Sequence, residues 1–364
     1  MKRNFSIWLN RLDWVLIVTA LLLTGIGLLS LYSTSFGRAD FSNFYKQAIF
    51  LGIGLVLMIV FSLFDYRILR GDPYLILILY LVCLLGLAGL FFFAPEIRGV
   101  KGWYKLGSVS IDPIEFTKLI LIMLLAKYFS MRHVELYRIR HILFSGFYVL
   151  LPCVLIFFQP DLGSVLILLA LWLTILIVSG IRVRAFLLII LCGLLVLSLG
   201  WSFLLKDYQK ERISSFVTQT DPLGAGWTRA QSEIAIGSGG VFGQGFKQGS
   251  QSQYGFLPEP QTDFIFSAIA EEFGLMGVLV MFVLFSILIW RIIRIALNSQ
   301  SNFPRIFASG LAVLLFLQIF INIGMNLGIL PIIGISLPFI SYGGSGLIIC
   351  FIAIGILQNI KSSY

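Results

Sequence analysis

The segment Pro73–Phe93 reads PYLILILYLVCLLGLAGLFFF and contains no charged side chain. An α-helix rises about 1.5 Å per residue, so about 20 apolar residues cross the ~30 Å hydrocarbon core of a bilayer. This segment therefore predicts a transmembrane helix. Nine more stretches of similar character lie on either side of it along the chain.

The ten stretches together predict an all-α, polytopic integral membrane protein with about ten transmembrane helices. The other nine are Trp14–Tyr32, Tyr45–Phe64, Pro113–Phe129, Ile142–Phe158, Leu162–Gly180, Ala185–Leu205, Phe264–Trp290, Ile306–Leu330 and Ile340–Ile360. A long extracytoplasmic loop, at about residues 206–262, is expected between the seventh and eighth helices. It carries aromatic and β-branched residues among its glycines, so we expect it to be ordered. The whole chain, residues 1–364, is expected to form a single transmembrane domain.

The composition agrees with a membrane protein. The chain is 59% hydrophobic and 12% charged, whereas a soluble domain has roughly 25% charged residues. We interpret the net charge of +9 as a signal of the protein's orientation in the membrane. A nucleic acid is therefore not an expected partner. With the N-terminus inside, 15 of the 26 Lys and Arg residues fall on the inner side, and five of the rest lie in the long loop. Both termini are therefore predicted to be cytoplasmic.

Several common chemistries are poorly supported. The only two histidines, His133 and His141, fall in one predicted turn, which disfavours a histidine triad or histidine metal site. The glycine-rich run at residues 237–245 matches no nucleotide-binding pattern, so a nucleotide-driven pump is disfavoured. Carboxylates, basic side chains and backbone groups remain as candidates.

Asp263 is the first candidate, because it stands where the long loop meets the eighth helix. One interpretation is that it caps the helix and meets the positive end of the helix dipole. The other is that it acts as a general base at the outer face of the membrane. The two are compatible, but a base would need partial burial or a nearby carboxylate to raise its pKa again.

A second group of candidates lies at the starts of the fourth and sixth helices. Asp112, followed by Pro113 and Glu115, is a helix-start signature. Glu115 and Lys118 share a helix face, so an ion pair is expected, which either neutralises two charges at the lipid boundary or marks a functional site. Asp161 begins the sixth helix and has the same two interpretations.

Other polar residues point to an anionic substrate and a cavity. Bases suited to a phosphate or pyrophosphate, or to a solvated rim, are Arg98, Lys101, Lys105, Lys118, Lys210 and Arg212. Of the adjacent acids Glu271 and Glu272, one is expected to face a cavity and the other a neighbouring helix. The last two helices are interrupted by Asn322, Asn326, Pro331, Pro338, Ser341, Gly343, Gly344 and Gly346. Such breaks are tolerated in a membrane only where the backbone is buried in protein or lines a cavity.

Six segments in a characteristic order resemble the SEDS family (shape, elongation, division and sporulation) of peptidoglycan glycosyltransferases. They are Asp112–Lys118, Gln159–Gly163, Asp221–Gly226, Gln231–Gly240, Leu257–Phe266 and Leu337–Ser345. Two further segments, Tyr208–Ile213 and Gly249–Gln253, resemble the branch of the family that acts in cell elongation.

The resemblance implies that the protein polymerises lipid II into glycan strands on the outer face of the bacterial cytoplasmic membrane. By analogy, Asp263 deprotonates the acceptor 4-hydroxyl, which attacks the growing chain and releases undecaprenyl pyrophosphate. Glu115, Lys118 and Asp161 match other functionally sensitive positions. Lys101 is expected to replace an arginine usual in the family, while Asp112 and Ile114 replace its Gln and Ser. The implied protein partners are a class B penicillin-binding protein (a transpeptidase) and other membrane proteins of the elongation machinery.

Some alternatives stay open at this point. A transporter of lipid-linked precursors, or flippase, also has many spans, intramembrane charges and broken helices. Against it, no inverted repeat is visible and the candidate residues cluster at the outer boundary. A non-catalytic scaffold for cell-wall enzymes is a third reading. The sequence also leaves open whether a divalent cation, Mg or Mn, assists the pyrophosphate.

Overall fold

The computed structural model describes residues 11–72, 74–95, 102–107, 109–131, 139–203 and 225–363. In chain order its elements are α1 Trp14–Arg38, α2 Ser42–Leu63, α3 Tyr66–Gly71, α4 Leu75–Phe93, β1 Tyr104–Leu106, β2 Val109–Ile111, α5 Pro113–Met131, α6 Ile139–Phe158, α7 Leu162–Val178, α8 Val183–Phe203, α9 Ala225–Gly239, α10 Ser250–Gln253, α11 Ile265–Asn298, α12 Asn302–Asn326 and α13 Gly344–Ser362.

The predicted all-α membrane fold is confirmed. Ten long helices occupy the places of the ten predicted stretches, and within the described residues eight of them are long and apolar enough to span a membrane. Of the other two, α5 carries three charged residues, Glu115, Lys118 and Lys127, and α8 is apolar in sequence along its whole length after Arg184. The antiparallel hairpin of β1 and β2 was not predicted.

The ends of the last three long helices differ from the prediction. Helix α11 continues to Asn298 instead of ending near Trp290, because its backbone hydrogen bonding persists through the charged turn that begins at Arg291. Helix α12 runs from Asn302 to Asn326, four residues earlier than expected at both ends. Helix α13 begins only at Gly344, because residues 327–343 are unwound.

Helices α5, α12 and α13 form the interior of the bundle. About two thirds of the residues in each are buried, whereas only about a quarter are buried in α2 and α4, as expected of helices that face lipid. Helix α13 packs closely on α2, where Gly355 lies against the backbone of Met58 and Gly54 lies against the Phe351 ring. Small residues allow this approach, which compensates for the lack of a hydrophobic driving force between helices in lipid.

The described part of the long loop, residues 225–262, is ordered, as expected. Residues 240–245 insert beside a break in α11 at Gly274, which has a φ of 64°. Gln244 and Gly245 donate their N–H groups to the carbonyls of Glu271 and Glu272, over 2.9 and 3.1 Å. Leu275 and Met276 donate to the carbonyls of residues 240 and 241, over 3.0 and 3.1 Å. The loop therefore replaces hydrogen bonds that the broken helix lacks.

Candidate functional site

A cavity of about 320 Å³ lies at the face of the bundle where α5, α7, α11 and α13 begin. The hairpin, the starts of α5 and α7, residues 262–263 and the unwound chain before α13 line it. Its volume is in the range of small-molecule pockets. Four residues selected from the sequence meet in its wall: Asp263, Glu115, Lys118 and Asp161.

Glu115 and Lys118 form the predicted ion pair on the first turns of α5. The Lys118 Nζ lies 2.7 Å from the Glu115 Oε1, and the two side chains are 3% and 16% exposed. An ammonium group so shielded from water depends on nearby carboxylates for its stability. The pair therefore holds one positive and one negative charge in the cavity wall.

Asp112 adds a third charged group beside this pair. Its Oδ1 accepts the N–H of Ile114 over 2.8 Å, so it starts α5 as predicted, and its own N–H donates to the Ser345 Oγ over 2.9 Å. Burial, and then the Glu115 carboxylate, raise the pKa of Asp112 to about 7, although the Lys118 ammonium opposes the shift. The Asp112 carboxyl can therefore hold a proton close to neutral pH, which its position in the sequence alone did not indicate.

Asp161 begins α7 and lines the same cavity. Its Oδ1 accepts the N–H of Ser164 over 3.0 Å, so the capping interpretation is correct. The same carboxylate acts electrostatically on Asp112 and raises its pKa. Asp161 thus both caps α7 and lines the cavity.

Asp263 lies two residues before the first residue of α11, which has Phe264 at its N-cap position. Two buried amides hold its backbone, because the Nδ2 groups of Asn322 and Asn326 each donate to the Asp263 carbonyl over 3.0 Å. The carbonyl of Thr262 accepts the Ser341 hydroxyl over 2.6 Å. Asp263 is therefore positioned from both sides by polar groups of α12 and of the unwound segment.

Five of the eight predicted interruptions line the cavity: Pro338, Ser341, Gly343, Gly344 and Gly346. Asn322 and Asn326 instead lie buried within the continuous helix α12. Residues 334–339 and 341–347 contribute to the wall. Asn322 donates to the carbonyl of Ile335 over 2.7 Å, while Gln47 of α2 donates to the carbonyl of Ser341 over 3.1 Å and accepts the N–H of Gly343 over 3.2 Å. Side-chain amides thus satisfy backbone groups that would otherwise be unpaired in a buried region.

Neither Glu271 nor Glu272 lines this cavity, but Glu272 makes the expected contact with a neighbouring helix, because it accepts a hydrogen bond from Ser33 of α1. Both are buried. Glu271 accepts the N–H groups of Gln251 and Ser252 over 2.6 and 3.0 Å. Glu272 accepts the Ser33 hydroxyl and, over 3.1 Å, the Nε2 of Gln253. Because helix α11 is broken nearby, both carboxylates turn towards the loop and α1.

Some predicted residues cannot be placed. Lys101, Lys210 and Arg212 lie outside the described residues, as does Arg98. Lys105 is exposed on β1 and does not line the cavity. Among the described residues no group of three or more His, Cys, Asp or Glu could hold a metal ion.

Several wall residues were missed by the sequence analysis: Trp103, Ser110, Ser164, Gln318, Tyr342 and Ser345. Gln318 had a usable signal, because it is a polar side chain in the middle of the apolar helix α12. The others are short polar or aromatic residues in or beside the hairpin or near helix ends, where such residues are common in any membrane protein.

Comparison with known proteins gives consistent results. The family model for FtsW, RodA and SpoVE, described as "Cell cycle protein", matches residues 13–364. The peptidoglycan glycosyltransferase MrdB of Escherichia coli K12 is 37% identical over 86% of this chain and 84% of its own length. Stage V sporulation protein E of Bacillus subtilis 168 is 36% identical over 96% of each chain.

Two solved structures share the fold. One is a chain of a peptidoglycan synthase complex that coordinates polymerization and crosslinking, with a TM-score of 0.84 and 30% identity. The other is the rod shape determining protein RodA of Thermus thermophilus, with a TM-score of 0.72 and 30% identity. In both comparisons the match covers 97% of this chain and 98% of the other. This chain therefore belongs to the FtsW/RodA/SpoVE family of polytopic membrane proteins, as its resemblance to SEDS proteins predicted.

Proposed function

We propose that this chain is a peptidoglycan glycosyltransferase that polymerises lipid II into glycan strands during cell elongation. The observation that carries the proposal is the convergence of Asp263, Glu115, Lys118 and Asp161 on one cavity, in a chain whose relatives are named as peptidoglycan glycosyltransferases. These four residues are up to 148 positions apart in the sequence.

Asp263 is the proposed general base. Its carboxylate removes the proton from the acceptor 4-hydroxyl as that oxygen attacks the anomeric carbon of the growing chain. The bond from the anomeric carbon to the pyrophosphate breaks, and undecaprenyl pyrophosphate leaves with the electron pair. The anchoring of the Asp263 backbone by Asn322 and Asn326 supports this role, because a base must be held within hydrogen-bond reach of its proton.

The other charged groups of the cavity are proposed to position the substrate. Lys118 supplies a positive charge for the diphosphate, and Glu115 holds the ammonium in place. Asp161 and Asp112 add carboxylates suited to sugar hydroxyls. Lys101, Lys210 and Arg212 remain proposed contributors from the loops.

We place the cavity on the outer face of the bacterial cytoplasmic membrane, with both termini in the cytoplasm. The distribution of Lys and Arg supports this orientation. The proposed partner is a class B penicillin-binding protein that crosslinks the strands, together with other membrane proteins of the elongation machinery. Similarity to a chain of a peptidoglycan synthase complex supports such an assembly.

The test is polymerisation of lipid II by the purified full chain with its candidate partner. Wild type is compared with Asp263→Asn and with the control Asp40→Asn, which removes an exposed carboxylate from the connection between α1 and α2. We expect glycan from wild type and Asp40→Asn and none from folded Asp263→Asn. Equal product from all three would remove Asp263 from the chemistry, while movement of lipid II with no glycan from wild type would favour the flippase.

A further inference from the structure

A second cavity, of about 350 Å³, lies at the opposite face of the bundle, where α1 begins and α11 and α13 end. Its wall consists of Asp13, Arg291, Arg294, Ile295, Asn298 and Lys361. It shares no residue with the cavity that contains Asp263.

The charges in this second cavity are unbalanced. Asp13 is the one carboxylate among the described residues of its wall, and it already bonds Arg291, whose Nη2 and Nε lie 2.5 and 3.0 Å away. Lys361 lies 3.8 Å from the same carboxylate. Arg294 is exposed, and its guanidinium stacks over the Trp290 ring at 5.4 Å. In the described part of this wall three cations therefore face one anion, and the excess of positive charge suits an anionic ligand.

The surface beside this cavity is apolar. Trp290, Ile293 and Leu297 of α11 are all exposed, with Trp290 at 55%. An apolar groove runs along the same helix from Leu279 to Trp290, a distance of about 16 Å at the rise of an α-helix. In a helix that crosses a membrane, such a surface faces acyl chains. A ligand of the cavity would thus have an anionic head and an apolar tail.

We propose that this cavity binds the phosphate of an anionic glycerophospholipid. Arg294 and Lys361 bind the phosphate oxygens, since a guanidinium presents a donor pair that matches phosphate geometry. Asn298 adds an amide donor. Arg291 is committed to Asp13 and keeps the ends of α1 and α11 together. Basic pockets between transmembrane helices are a known physical solution for holding anionic headgroups.

The proposal is independent of the glycosyltransferase assignment. A lipid suits the site better than a free phosphate ion, because the groove and the exposed residues of α11 continue directly from the bases. The two sources of phosphate are separated in the test by comparing a phospholipid with the inorganic ion.

The test uses the full chain, purified in neutral detergent and stripped of lipid. Phosphatidylglycerol, phosphatidylcholine and inorganic phosphate are titrated separately, with bound lipid counted by native mass spectrometry and the thermal unfolding midpoint measured in parallel. Wild type is compared with Arg294→Gln, with Arg294→Lys and with Arg184→Gln. Arg184 is the matched control, because it is an exposed arginine at the start of α8, on the same face of the bundle and outside the cavity.

We expect phosphatidylglycerol to bind wild type and raise its unfolding midpoint, while the other two additives have little effect. Arg294→Gln should weaken this binding at least tenfold. Arg294→Lys keeps the positive charge but loses the paired donors, so its binding should lie between those of wild type and Arg294→Gln. Arg184→Gln should behave as wild type. Equal binding to wild type and Arg294→Gln would overturn the proposal, as would an equal loss in Arg184→Gln. An equal response to phosphatidylcholine would overturn the anionic headgroup, and an equal response to inorganic phosphate would overturn the lipid.

Discussion

Removing one member of the buried Glu115–Lys118 pair should have an effect that depends on which member is removed. The wall around Lys118 holds three carboxylates, those of Glu115, Asp112 and Asp161, and one ammonium. Lys118→Met leaves all three carboxylates without a cation among the described residues of the wall. Glu115→Gln removes one carboxylate and leaves Lys118 with two others nearby. The lysine is therefore the more costly residue to lose.

The magnitudes follow from burial. Breaking a buried ion pair by removing one partner costs about 3–5 kcal/mol, which applies to Lys118→Met because that side chain is only 3% exposed. Glu115→Gln mainly loses one hydrogen bond to a charged group and should cost about 1.5–3 kcal/mol. The double variant should be more stable than the two single losses would predict by addition, because the second change relieves the repulsion that the first created.

The assay is thermal unfolding of each full-length variant in the same detergent, with Lys105→Met as the control for removing an exposed lysine. We expect the midpoint to fall most for Lys118→Met, less for Glu115→Gln, and hardly at all for Lys105→Met. Equal midpoints for the two single variants would refute the reasoning, because they would show that Asp112 and Asp161 do not act on Lys118. A double variant that equals the sum of the single losses would refute the coupling.

Three further outcomes are expected. The pKa of Asp112 rises from 3.8 to about 7 on folding, so protonated Asp112 stabilises the folded state fully below about pH 4, and this stabilisation is lost as the pH rises through 7. The unfolding midpoint of wild type should therefore fall between pH 5 and pH 8.5, and that of Asp112→Asn should fall less than that of wild type. Glu271→Ala removes the acceptor of two backbone N–H groups, so it should cost about 1–3 kcal/mol and speed limited proteolysis within residues 240–256, measured against wild type at one temperature. Gly355→Leu should drive α13 away from α2 and lower both the yield of monodisperse protein and its unfolding midpoint, whereas Gly52→Leu, where the space is open, should do neither.

The ten helices were predictable because a backbone inside lipid must satisfy its own hydrogen bonds, which forces long apolar stretches into helices. Their ends were not. The apolar stretch ends at Trp290 because the charged Arg291 follows it. The helix nevertheless continues, since Asp13, from a distant part of the chain, pairs with Arg291. The hairpin at residues 104–111 is too short to show a strand pattern.

The sequence predicted which charged residues belong to the site, but it did not predict how they are arranged. Helix-start signatures identified Asp112, Glu115 and Asp161 as residues at the membrane boundary, and Asp263 stood out at the end of the loop. That they share one wall depends on how α5, α7 and α11 pack, which no local pattern contains. The perturbed pKa of Asp112 likewise depends on burial by the chain near Ser345.

The break in α11 at Gly274 makes the helix and the adjoining loop one mechanical unit. Residues 240–245 bond to both sides of the break, so that bending α11 at that point requires the loop to move with it or to give up hydrogen bonds worth about 0.5–1.5 kcal/mol each. A displacement of residues 240–245 is thereby transmitted to α11 at Glu271 and Glu272, about two helical turns from Asp263.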